Sequence, residues 1–159
     1  MSNFPGKILF VCTANICRSP MAQKLLEHAL KNESPPLSSA EVDSAGVAAY
    51  PGDRASENAV LALKKVGIDL ADHRSRIVSA SLLEESAVVF SMTENHRQIL
   101  TTHFSKLPEH LYLMREFLSS EEGNEIPDPF GADLRAYEAC RDSMVEAIPP
   151  ILRFLRTLT

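Results

Sequence analysis

The 159-residue chain is 45% hydrophobic and 23% charged, the proportions of an ordinary globular domain that buries a core without disulfide or metal staples. Its formal net charge of −5 excludes a general basic field, so neither nucleic acid nor an anionic membrane is an expected partner, and an anion site must be a local concentration of donors. No stretch reaches the roughly 20 apolar residues of a spanning helix, and the apolar run Ile8–Val11 is too short for a signal-peptide core; a cytoplasmic protein with reduced cysteines is expected.

In chain order, Lys7 to Cys12 is a continuous apolar run, which predicts a strand buried on both faces. A loop from Thr13 to Ser19 follows, with Pro20 placed to open a helix whose apolar residues Met21, Leu25, Leu26, Ala29 and Leu30 recur at helical spacing. After the turn-rich Ser34 to Ser39, Glu41 to Gly46 reads as a second strand leading into a loop through Tyr50, Pro51 and Gly52. Ala59, Val60, Leu63 and Val66 mark a helix ending near Gly67. Ala87 to Met92 is a third strand, with a helix from about Thr93 to Phe104 behind it, and Leu111 to Met114 a fourth. A loop from Gly123 to Gly131 precedes a last helix from about Asp133 to Leu158, which Pro149 and Pro150 are expected to bend or break. Strands alternating with helices predict one α/β domain over residues 1–159, with a parallel sheet and helices on both faces. Such sheets bind ligands beyond the carboxyl ends of their strands, where strand order reverses. The first strand–loop–helix turn is the place to look.

That turn, Cys12-Thr13-Ala14-Asn15-Ile16-Cys17-Arg18-Ser19-Pro20, sets an arginine six residues after a strand-end cysteine. A loop of this length can curl so that its N–H groups point inward and join the unpaired donors of the helix N-terminus around an anion. Arg18 can grip two phosphate oxygens with its planar fork, and the same positive field favours the thiolate of Cys12. Asn15 tolerates a left-handed backbone and can bond neighbouring loop groups. The five histidines show no ligand spacing with Asp, Glu or Cys, so no metal and no cofactor is expected.

Val11 to Pro20 resembles the signature of the low-molecular-weight protein tyrosine phosphatases, and the early position of the motif, the length, Asp43-Ser44-Ala45-Gly46 and Asp128-Pro129 match as well. The resemblance covers essentially the whole chain and implies a four-stranded parallel sheet in the order 2-1-3-4. It also implies a two-step displacement: Cys12 attacks phosphorus, and water hydrolyses the cysteinyl-phosphate. Loop amides and Arg18 stabilise the equatorial oxygens, Ser19 bonds the sulfur, and Asp128 acts as acid and then as base. By the same resemblance Ser44 and His73 support Asn15, Arg76 is either a further brace or a surface charge, and Cys17 can pair with Cys12 under oxidation. One departure is Ala14, where the family usually has glycine; a Cβ there is expected to tighten the loop or shift a φ angle.

Tyr50 and Phe130 come from loops that wall the cleft in this family, and aromatic walls suit phosphotyrosine. Related arginine phosphatases share Asp-Pro-Phe-Gly, which here is Asp128 to Gly131, but carry threonine at the position of Ile16. An apolar Ile16 favours an aromatic ring over a guanidino group. The expectation is therefore a monomeric protein tyrosine phosphatase acting on phosphorylated proteins, with an arginine phosphatase of the same fold as the alternative. Arsenate reductases of similar loop need two further redox cysteines in mid-chain, and residues 70 to 100 contain none. A non-catalytic phosphate-binding or thiol-sensing module would leave Asp128 without a purpose.

Overall fold

A computed structural model describes residues 4–119 and 123–159. The first strand, β1 (Lys7–Cys12), forms where the continuous apolar run was expected, and Ile8, Leu9, Phe10 and Val11 are wholly buried. It lies between β2 (Val42–Gly46) and β3 (Ser86–Ser91), and β4 (His110–Leu113) extends the sheet beyond β3. All three pairings are parallel, so the strand order is 2-1-3-4 as the resemblance implied.

Alternation along each strand divides the core in two. Ile8, Phe10, Val88 and Phe90 face one cluster with α1 (Arg18–Leu30), α2 (Glu57–Lys64) and α5 (Leu134–Arg156), through Met21, Leu26, Leu63, Met144 and Ile151. Leu9, Val11, Ala45 and Val89 face the other, against Leu82 and Leu83 of α3 (Ala80–Glu84) and Leu100 of α4 (Glu94–His103). Helices thus cover both faces, as a parallel sheet requires.

Several boundaries differ from the sequence expectation. The first helix starts at Arg18, not Pro20. Proline remains harmless there, because first-turn N–H groups have no partner within a helix. The short α3 and a 3-10 turn at Leu37–Ser39 carry no periodic apolar signal long enough to read. Finally, α5 runs unbroken through Pro149 and Pro150. The carbonyls deprived of donors belong to Val145 and Glu146, both exposed, so water can take them.

The order 2-1-3-4 leaves β1 at the reversal point, with β2 on one side and β3 on the other. The segment after β1 consequently sits in the crevice that such sheets offer to ligands. Gly46, at the end of β2, abuts this segment: a Cβ there would run into the Thr13 carbonyl and come within 3.0 Å of Asn15 N and of the Ala49 Cβ. Gly46→Ala should cost about 1–3 kcal/mol of stability and lower activity with it, as read by thermal melting and a phosphatase assay.

Candidate active site

Residues 13 to 17 curl because their carbonyls are held outward. Val47, Ala48 and Ser56 donate their N–H groups to the carbonyls of Cys12, Thr13 and Ile16 at 2.9, 2.9 and 2.8 Å. Among the described residues, none of the N–H groups of residues 13 to 17 donates to a backbone carbonyl, which frees them to face an anion. The turn itself is made by Asn15, at φ 59°, the only non-glycine with positive φ among the described residues. The left-handed step expected of an asparagine is therefore present, and Ala14 is accommodated without a positive φ.

Asn15 is fully buried, and its side chain and carbonyl are all bonded. Its Nδ2 donates to Ser19 Oγ at 2.8 Å and to Ser44 Oγ at 3.0 Å, and its Oδ1 accepts from Arg76 N at 2.9 Å. His73 Nε2 donates to the Asn15 carbonyl at 2.7 Å. Burial holds His73 below the ordinary histidine value, so the ring stays neutral and its proton on Nε2 serves this bond. Arg76 contributes through its backbone, since its side chain is exposed beside Asp43 at 3.5 Å.

The Cys12 sulfur is buried at the floor, 2.9 Å from Ser19 Oγ. Asn15 donates to the Ser19 oxygen, and the Ser19 hydroxyl lies within reach of both the sulfur and the Ala45 carbonyl, the latter at 3.4 Å. Arg18, only 4% exposed, is turned inward: Nη1 donates to the Ile126 carbonyl at 2.9 Å, while Nη2 lies 3.4 Å from Thr13 Oγ1 and 3.6 Å from Asp128 Oδ2. Asp128 is half exposed, and its Oδ1 accepts from Phe130 N at 3.0 Å, an Asx-turn that fixes the carboxylate over the loop. Together Cys12, Thr13, Ala14, Ile16, Cys17, Arg18, Asp128 and Phe130 line a cavity of about 180 Å³. Tyr50 stands outside this lining and is 75% exposed, its carbonyl held by the Ser75 hydroxyl at 2.5 Å.

All three cysteines are free thiols. Burial pushes Cys17 up, and its sulfur lies 3.1 Å from Ser56 Oγ and 3.4 Å from the Tyr137 hydroxyl. Cys140 packs in the core, pushed up to about 12 by burial.

Some contributors escape sequence reading. Ile126 is completely buried; its N–H donates to the Met92 carbonyl at 2.9 Å and its carbonyl receives Arg18, so it ties the Asp128 loop to the end of β3. Nothing in its local sequence marks it. His96 is different: Thr93-x-x-His96 is a capping pattern, and the histidine reaches the loop from the other side of the sheet end.

Over residues 7–157 the chain matches the family described as low molecular weight phosphotyrosine protein phosphatase. Among its curated relatives, the protein-arginine-phosphatase of Geobacillus stearothermophilus is 37% identical over 96% of this chain and 98% of its own. The low molecular weight protein-tyrosine-phosphatase Ptp of Acinetobacter johnsonii is 35% identical over 79% and 81%. The solved YwlE arginine phosphatase from Geobacillus stearothermophilus superposes with a TM-score of 0.84, covering 96% of this chain and 94% of that one.

Proposed function

The chain belongs to the low molecular weight phosphotyrosine protein phosphatase family, and from that premise we propose that it hydrolyses phosphotyrosine in proteins through a cysteinyl-phosphate. The observation that carries this is the convergence of a buried sulfur, an inward guanidinium and a loop carboxylate on one cavity of about 180 Å³.

In the first step Cys12 attacks phosphorus in line with the leaving phenolate oxygen, and Asp128 gives that oxygen its proton. Charge spread over the equatorial oxygens meets the unpaired amides of residues 13 to 17 and the Arg18 fork. In the second step Asp128 takes a proton from water, which attacks the same phosphorus and expels the sulfur; the Ser19 hydroxyl at 2.9 Å stabilises the departing thiolate. Asn15, with Ser44 and His73, keeps the loop curled, so the amides need not reorganise during the reaction. Arg18 already faces the cavity, with Nη2 3.6 Å from Asp128 Oδ2 and Nη1 held by the Ile126 carbonyl, so its fork is in place for the phosphoryl oxygens.

Phe130 offers an aromatic wall at the rim, and Tyr50, exposed in the loop after β2, would offer a second once substrate is bound. Residues 1–159 would act as one monomeric phosphatase domain in the cytoplasm, with phosphorylated proteins and no nucleic acid as partners. The net charge of −5 disfavours nucleic acid, and no helix among the described residues is long and apolar enough to cross a membrane.

The 37% identity to an arginine phosphatase supports a second reading, hydrolysis of phosphoarginine by the same site. Ile16 separates the two. It lines the cavity and presents carbon, which packs on a phenyl ring and offers a guanidino group nothing to bond. Comparing phosphotyrosine and phosphoarginine peptides should show preference for the former, and Ile16→Thr should shift the ratio toward phosphoarginine by about tenfold or more. An unchanged ratio would remove Ile16 as the selector, and a wild-type preference for phosphoarginine would select the second reading.

A further inference from the structure

We propose that the Thr13 hydroxyl is a further hydrogen-bond donor to the transferred phosphoryl group, aimed into the cavity by the buried His96. The proposal deepens the phosphatase reading and rests on it.

The polarity of this contact is dictated step by step. His96 is the third residue of α4 and only 2% exposed. Its Nδ1 lies 3.2 Å from Thr93 N, and a peptide N–H can only donate, so Nδ1 carries a lone pair. Burial, reinforced by the charge of Arg18, lowers His96 to about 4, so the ring is neutral at pH 7 and its single proton is on Nε2. Nε2 is 2.9 Å from Thr13 Oγ1 and therefore donates to it. Arg18 Nη2, at 3.4 Å from the same oxygen, can also only donate.

Two donors now face the two lone pairs of one hydroxyl oxygen. The Thr13 proton can point at neither and must seek an acceptor elsewhere. Thr13 is exposed at the cavity mouth, which it lines with Cys12, Arg18 and Asp128. A phosphoryl group held in that cavity presents its oxygens as acceptors in place of water. With both lone pairs engaged, the Thr13 oxygen can meet a bound phosphoryl group only as a donor. His96 is a positioning residue: it touches no substrate, but its fixed tautomer keeps the hydroxyl from turning away.

The test is inhibition by orthovanadate, a tetrahedral oxyanion, in Thr13→Val, Thr13→Ser and His96→Phe. Thr13→Val keeps the shape and removes the donor, and its inhibition constant should rise about tenfold or more, as for loss of a hydrogen bond to a charged group. Thr13→Ser should recover most of that loss. His96→Phe should weaken vanadate binding in the parent protein and add little in the Thr13→Val background, a non-additivity that a purely packing role would not give. An inhibition constant unchanged in Thr13→Val, or no recovery in Thr13→Ser, overturns the contact whether or not the His96 variant folds; full additivity overturns the positioning role. If the parent hydrolyses p-nitrophenyl phosphate and binds vanadate while Thr13→Val binds it equally well, this contact fails and the phosphatase reading stands. A parent that does neither defeats both.

Discussion

Cys12→Ser should lower turnover of p-nitrophenyl phosphate by about 10⁴-fold or more while inorganic phosphate still binds. The two halves of the result come from different parts of one segment. Binding rests on the unpaired amides of residues 13 to 17 and on Arg18, whose side chain is held by the Ile126 carbonyl and is indifferent to the atom at the floor. Turnover, in the proposed mechanism, rests on the sulfur, which has the Ser19 hydroxyl at 2.9 Å. A serine hydroxyl in that position stays protonated and is a far weaker nucleophile. Phosphate binding is to be followed by calorimetry alongside the assay. Activity retained in the variant would rule out a covalent thiolate route, and a reduced parent protein without activity would favour an anion-binding module.

Asp128→Asn should slow phosphotyrosine peptides by about 10²–10³-fold and p-nitrophenyl phosphate much less. The difference is a matter of the leaving group. A tyrosine phenolate, with a pKa of about 10, departs poorly without a proton, whereas the more acidic p-nitrophenolate needs little help. Asparagine preserves the Asx-turn, since its side-chain oxygen can still accept from Phe130 N, where the native distance is 3.0 Å. The substitution thus removes the proton and keeps the loop. Equal slowing of both substrates would deprive Asp128 of its acid role and leave it as a tether for Arg18, which it faces at 3.6 Å.

Neither experiment depends on the Tyr50 wall, whose ring the loop after β2 leaves at the surface. An aromatic in a loop after the second strand reads equally well as wall or as surface. Here the loop is shaped by Ser75, whose hydroxyl holds the Tyr50 carbonyl and whose oxygen accepts from Asp53 N at 2.8 Å. Those bonds fix the backbone and leave the ring 75% exposed, outside the cavity lining.

The local sequence determined what local physics controls. An apolar run with no polar break, Lys7 to Cys12, can only be a strand covered on both sides, and strands alternating with helices can only close as a layered parallel sheet. A cysteine and an arginine six residues apart across a strand–helix junction announce an anion loop, because its donors are backbone groups that every residue carries. The left-handed step at Asn15 was legible for the same reason, being a property of one residue type.

Tertiary structure alone decided the rest, because it concerns groups distant in sequence that must share a few ångströms. The Ile126 carbonyl that holds Arg18, 108 residues away, leaves no trace in its local sequence, and the capping pattern of His96 does not reveal that its ring reaches Thr13 across 83 residues. Their hydrogen-bond polarity is set by burial of Arg18, Ile126 and His96, whose donors must find protein partners. Even the helix through Pro149 and Pro150 survives on such terms, since the carbonyls it deprives open to solvent on the outer face of α5.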